Sequence, residues 1–198
     1  GDGGFEEFTY RYENGIKDYV QELAGEDTLT AVQYWQTETA GRDRADKQDY
    51  KVKLSVACCF SNRRQVVEYY HNSSFLEHGG SPERAVKTAF VYQINAKYLK
   101  GESKVTYQDV ADALVLVSSS FSTQTSYENQ TKKSITNAFI AQAMTDFLKR
   151  SLEVYFIEQP EEAGKIADQV LINKRSREKA ENTRKNLKKT LTATIDMA

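Results

Sequence analysis

The run Tyr50-Lys51-Val52-Lys53-Leu54-Ser55-Val56 alternates apolar and polar side chains without a break, and no other stretch constrains the fold as tightly. A period of two places Tyr50, Val52, Leu54 and Val56 on one side of a strand and Lys51, Lys53 and Ser55 on the other. The segment is therefore predicted to be an antiparallel strand with one buried face and one wet face. Such a strand needs neighbours. Residues 30–40, rich in aromatic and β-branched side chains, supply one, across a charged, exposed connection at 42–49. On the other side, Ser61-Asn62-Arg63-Arg64 is predicted to turn the chain into residues 65–72 as a hairpin partner.

Helical spacing brackets this region. Tyr19, Val20 and Leu23 mark a short helix between Gly15 and Gly25. Ser81-Pro82-Glu83 reads as a helix start, with Ser as N-cap and Pro at the first helical position. Val86, Ala89, Phe90, Gln93, Ile94 and Lys97 continue it towards Gly101. Thr106-Tyr107-Gln108-Asp109 has the form of a capping box before a short helix. A strand at 114–121 follows, then a polar loop. A long helix beginning near Ser134 carries Ala138, Phe139, Ala143, Met144, Phe147, Leu148 and Leu152, and Gln159-Pro160 should end it. A last helix from Glu161 shows Ile166, Ala167, Val170 and Leu171 on one face. Its apolar stripe fades beyond Lys174, so the tail is predicted to leave the core while staying helical. Strands first and helices last predict an α+β domain over residues 1–160, with helices on one face of the sheet. Residues 161–198 then form an exit helix with a basic tail.

The 198 residues, 39% hydrophobic and 28% charged, suit one soluble domain with an extension. Twelve Tyr and nine Phe supply bulky core material. No apolar run approaches the roughly 18 residues that span a bilayer, so no membrane role is expected. Cys58 and Cys59 are adjacent, and in a strand they would point to opposite faces, too poorly placed to bridge. That usage points to a reducing, cytoplasmic setting, and neither His71 nor His78 shares a metal-ligand spacing with them. Gly1-Asp2-Gly3-Gly4 reads as a boundary, so a longer parent protein is expected. Charge is uneven. Residues 174–190 hold eight basic side chains (Lys174, Arg175, Arg177, Lys179, Arg184, Lys185, Lys188, Lys189) against Glu178 and Glu181, a net +6, while the rest of the chain carries −7. A basic arm on an acidic body points to a polyanionic partner or an acidic neighbouring domain.

Gln130-Thr131-Lys132 lies on the loop between the 114–121 strand and the next helix. A lysine held there beside helix N-terminal amides suits a phosphate. Four landmarks then occur in order: Tyr12-Glu13-Asn14-Gly15-Ile16 with Tyr19-Val20; His71-Asn72 followed by Gly79-Gly80-Ser81; Tyr127-Glu128-Asn129-Gln130-Thr131-Lys132; and Arg175-Ser176-Arg177-Glu178-Lys179-Ala180. Together they cover essentially the whole chain. They resemble the transducer domain of gyrase B and topoisomerase IV B subunits, the second domain of the ATPase half of type IIA DNA topoisomerases.

The resemblance implies an α+β sandwich similar to the second domain of ribosomal protein S5. Its features would be a mostly antiparallel sheet, a left-handed βαβ crossover and a long C-terminal helix. It implies that Lys132, assisted by Gln130, reaches the γ-phosphate of ATP held with Mg2+ in a preceding ATPase domain. Lys87 would face a DNA-receiving cavity, and Lys174, Arg175, Arg177, Lys179, Arg184 and Lys185 would face DNA from the exit helix. The implied partners are double-stranded DNA, a gyrase A-type or topoisomerase IV A-type subunit, and a second copy of the full-length protein. No Gly-rich phosphate loop or water-activating acidic constellation is present, so the chain alone is expected to be inactive. The alternative is a free-standing S5-like nucleic-acid-binding module with the basic tail as its arm.

Overall fold

The computed structural model of the chain describes residues 15–98, 104–122 and 134–197. Its elements run α1 (Ile16–Ala24), β1 (Gln33–Gly41), β2 (Tyr50–Phe60), β3 (Val66–His71), β4 (Ser74–Phe75), α2 (Ser81–Tyr98), α3 (Tyr107–Ala111), β5 (Leu114–Ser122), α4 (Ala138–Glu158) and α5 (Pro160–Met197). The strands form one five-stranded sheet in the order β1-β2-β5-β3-β4. Every neighbouring pair is antiparallel except β3 and β5. The α+β class and mostly antiparallel sheet expected from the sequence are the ones observed.

One pairing differs from the sequence reading. β3 does not return beside β2. It runs parallel to β5, which lies between them and pairs Val52 with Ser122 and Phe60 with Leu114 on its β2 side. β5 takes the central position because its first seven residues, Leu114–Ser120, are buried on both faces, the requirement for an interior strand. The β1–β2 hairpin forms as expected, in register from Gln33 opposite Cys58 to Gly41 opposite Tyr50.

The sequence reading places the helices on one face of the sheet; instead they cover both faces, unequally, because Ala57, Cys59, Val115 and Val117 are apolar on the second face and need cover. On one face Val52, Leu54, Val56, Cys58 and Phe60 of β2 pack against Val86, Phe90 and Ile94 of α2 and Ile140, Met144, Leu148 and Leu152 of α4. On the other, only α1 is seated among the described residues. Its Ile16, Val20 and Ala24 rest on Ala57, Cys59, Val115 and Val117. The wet face predicted for β2 thus holds at Lys51, which is exposed, and ends where α1 begins to cover the strand. Cys58 and Cys59 belong to opposite cores, as their adjacency demands, and both thiols are free. Burial pushes both thiols up, Cys59 to about 11, so neither is a reactive thiolate at neutral pH.

Helix boundaries follow the sequence closely. α4 ends at Glu158 and α5 restarts at Pro160. The start of α4 is Ala138 rather than Ser134, because Ile135 is held in an isolated bridge to Gly80. Beyond Lys174 none of the described side chains of α5 is buried, and Leu187, Leu191 and Ile195 are 60%, 65% and 73% exposed. The tail leaves the body as a helix, as predicted. Gly101, the segment Tyr12-Glu13-Asn14 and the loop carrying Gln130 and Lys132 lie outside the described residues.

Candidate functional site: the frame of the 123–133 loop and the exit helix

Although Gln130 and Lys132 are not described, the residues where their loop departs and returns are. On the departing side, the Ser122 N–H donates to Asn72 Oδ1 at 3.0 Å, and the Asn72 N–H donates to the Ser120 carbonyl at 2.8 Å. Asn72 and Ser73 adopt φ of 48° and 66°, the left-handed region that Asn tolerates better than most residues. Beneath them His71 Nδ1 lies 2.8 Å from Ser120 Oγ. The ring is 2% exposed, and burial lowers its pKa from 6.5 to about 4, so it is neutral at physiological pH.

On the returning side, Ser81 donates twice: its N–H to the Ile135 carbonyl and its Oγ to the Asn137 carbonyl, both at 2.8 Å. The side chain expected to cap α2 is thus used to hold the loop's return. Gly80 has φ 73°, and a Cβ there would collide with the Ile135 carbonyl oxygen, so only glycine lets the two backbones approach this closely. Asp43, from the charged β1–β2 connection, completes the frame. Its Oδ1 accepts from the Tyr50 hydroxyl at 2.6 Å and the Phe139 N–H at 3.1 Å, and its Oδ2 accepts from Asn137 Nδ2 at 3.0 Å. Burial, reinforced by Asp43, pushes the Tyr50 hydroxyl well above its ordinary range.

Two consequences follow. Residues 72–81 bond to Ser122 on one side and to Ile135 and Asn137 on the other, so the described residues flanking 123–133 are tied to one contiguous segment. The Phe139 N–H at the start of α4 is already taken by Asp43, so this amide is not one left over for a phosphate. Among the described residues no group of three or more His, Cys, Asp or Glu side chains is gathered as for a metal ion.

The predicted cations separate into two kinds. Arg175, Lys179, Arg184 and Lys185 are exposed on α5, with Lys188 and Lys189 beyond them. Lys174 and Arg177 are turned inward, which removes them from the outward-facing set. Lys174 is 5% exposed with Nζ 3.9 Å from Glu178. Arg177 grips Asp109 with two bonds, Nε to Oδ1 at 2.7 Å and Nη2 to Oδ2 at 3.1 Å, and reaches Glu181 at 3.2 Å. Lys87 pairs with Glu83 at 3.1 Å and sits 5.4 Å from the Tyr107 ring centre. It edges a groove of about 650 Å³ on the outer side of α2, lined also by Thr88, Val91, Tyr92 and Lys104. Sequence reasoning passed over Asp43, because an acid in a charged loop looks like any solvated acid.

The comparisons with known proteins agree with this architecture. A family model described as DNA gyrase B matches residues 15–186. The DNA gyrase B protein of Mycoplasmoides gallisepticum is 26% identical over 185 residues, 86% of this chain but 28% of that protein. Its counterpart in Chlamydia muridarum is 25% identical over 191 residues, 92% of this chain and 23% of that protein. The chain therefore spans less than a third of these relatives. Among solved structures, the 43K ATPase domain of Thermus thermophilus gyrase B, determined with an aminocoumarin, superposes with TM-score 0.69 at 19% identity, covering 87% of this chain and 46% of that one. The topoisomerase IV ATP-binding domain of Francisella tularensis gives TM-score 0.66 at 19% identity, covering 84% and 44%. With most of its length matched by one family model and its fold shared with solved members, the chain belongs to the DNA gyrase B family.

Proposed function

We propose that this chain is the transducer portion of a type IIA topoisomerase of the gyrase B kind, coupling ATP binding and hydrolysis in a preceding domain to DNA strand passage. The observation that supports the proposal is the shared frame: the segment 72–81 and Asp43 hold Ser122 and Asn137 on either side of residues 123–133, the stretch in which Gln130 and Lys132 lie. On this reading Lys132 contacts the γ-phosphate of ATP and Gln130 assists. A cation that touches only that phosphate distinguishes triphosphate from diphosphate, which makes it a sensor of nucleotide state. ATP and Mg2+ are held mainly by the preceding domain, and the chain alone neither binds nucleotide tightly nor turns it over. The exposed cations Lys87, Arg175, Lys179, Arg184 and Lys185 offer double-stranded DNA non-specific phosphate contacts. A gyrase A-type or topoisomerase IV A-type subunit and a second copy of the parent protein complete the cytoplasmic enzyme.

The test is Lys132→Ala in the full-length parent, with Lys133→Ala as the adjacent, equally charged control. Lys132→Ala should cut ATP turnover by roughly 100-fold, as for loss of one transition-state hydrogen-bond donor, with an unchanged melting temperature. Lys133→Ala should retain it. Wild-type turnover in Lys132→Ala, or equal damage in Lys133→Ala, refutes the γ-phosphate role. A parent with no ATPase activity would favour the free-standing binding module instead.

A further inference from the structure

The first turns of the exit helix are held by its buried apolar face and by Glu162, which accepts from the Ala31 N–H at 2.8 Å and from the Tyr155 hydroxyl; farther along, among the described residues, the polar hold on the body gathers at Asp109. The apolar face of the helix, Ala163, Ile166, Ala167 and Val170, is spent by Val170. From Lys174 onward the body holds it through Arg177, whose guanidinium forks onto the Asp109 carboxylate, with Asn173 Nδ2 donating to the Asp109 carbonyl at 3.0 Å one turn earlier. Asp109 is 1% exposed. It is fixed in turn by the Thr106 N–H, which donates to Oδ2 at 2.9 Å, the capping box that starts α3. α3 leads through Asp112 and Ala113 into β5. One rigid strut, a nine-residue strand of about 30 Å, therefore has Ser122 and the loop departure at one end and the Asp109 joint at the other. Glu181, Glu178 and Lys174 are the other charged groups on α5 beside this point.

We propose that the Asp109–Arg177 pair is the joint through which the orientation of the domain body is passed to the exit helix, with Arg177 a positioning residue rather than a DNA contact. This rests on the transducer reading given above. Geometry makes the joint consequential. About twenty residues of helix lie beyond Arg177, some 30 Å at 1.5 Å per residue, so a tilt of about 10° there moves the far end by about 5 Å. A planar bidentate grip resists such a tilt; a single point charge, as Lys would supply, does not. Burial alone would raise the Asp109 pKa, but the hydrogen bonds from Arg177 and Thr106 outweigh it and hold the carboxyl below its ordinary value, so the pair stays ionised through the neutral range.

The experiment uses spin labels on the 198-residue chain at Asn62→Cys on the body and Asn186→Cys on the helix, both exposed, the native thiols being buried. The wild type should give one narrow distance distribution. Arg177→Lys and Asp109→Asn should broaden it at least about two-fold by populating a second orientation, whereas Arg175→Gln, on the exposed side, should not. Should Asp109→Asn fail to fold, Arg177→Lys carries the measurement, since it keeps the charge and the aliphatic stem. In the full-length parent, Arg177→Lys should lower strand passage per ATP by about ten-fold, within the usual span of coupling between sites, while ATP turnover changes little. A folded Arg177→Lys variant with the wild-type distance distribution overturns the joint. A broadened distribution in a parent without ATP-driven strand passage would uphold the joint and refute the transducer reading.

Discussion

Replacing His71 by Asn should remove the part of this chain's sensitivity to mild acid that comes from its buried imidazole. The imidazole is 2% exposed, bonded to Ser120 Oγ, and its pKa falls from 6.5 to about 4 on burial. In the unfolded chain it takes up a proton below 6.5, whereas the folded chain resists until about 4. Between these values the unfolded state binds more protons, so stability must fall as pH falls. Each pH unit in that window is worth about 1.4 kcal/mol, and from pH 7 to pH 4.5 the loss comes to about 2.5 kcal/mol, a sizeable share of the 5–15 kcal/mol typical of a domain. Asn keeps a polar group near the position of Nδ1, facing Ser120, but does not titrate. Urea unfolding of both proteins at pH 7 and pH 4.5 isolates the effect, because every carboxylate contributes equally to both. The wild type should lose about 2.5 kcal/mol more than His71→Asn. Parallel losses would show that the ring is not held neutral in the folded state.

Two further substitutions test the frame of the 123–133 loop. Gly80→Ala combines a φ of 73° with a collision against the Ile135 carbonyl and should cost at least about 3 kcal/mol by chemical denaturation; a near-neutral result would mean that this backbone approach is not as close as described. Asp43→Ala strands the Tyr50 hydroxyl and the Phe139 N–H and should cost about 2 kcal/mol, with faster hydrogen exchange confined to the first turn of α4. Unchanged exchange there would rule out Asp43 as its anchor.

Local features were legible in the sequence and non-local ones were not. The alternation of Tyr50–Val56, the break at Pro160, the capping box at Thr106 and the opposed faces of Cys58 and Cys59 depend on a few adjacent residues, whose types specify the outcome. The partner of β3 does not. Its turn from β2 looks like a hairpin, and only the presence of a strand buried on both faces, far along the chain, forces β3 to the other side of β5. The basic run shows the same limit. Arg175 and Arg177 are indistinguishable by composition, yet one is exposed and the other is folded onto a buried carboxylate. Asp43 was hidden for the same reason, since its value lies wholly in Tyr50, Asn137 and Phe139, residues supplied by other parts of the chain.

The central placement of β5 also dictates when this sheet can close. Its neighbours β2 and β3 are both made before it, and each leaves a row of backbone groups unpaired until residues 114–122 have left the ribosome. The β1–β2 hairpin can form early from local contacts, but the sheet has to wait for pairings such as Val52 with Ser122, whose loop-closure entropy must be met before they stabilise anything. During that interval a strand edge and the apolar side chains of β2 are open to other chains, a setting in which nascent polypeptides depend on chaperones. Slowing synthesis after β2 has emerged and before residues 114–122 have cleared the exit tunnel would lengthen this vulnerable period, whereas slowing it once they have emerged would leave it unchanged.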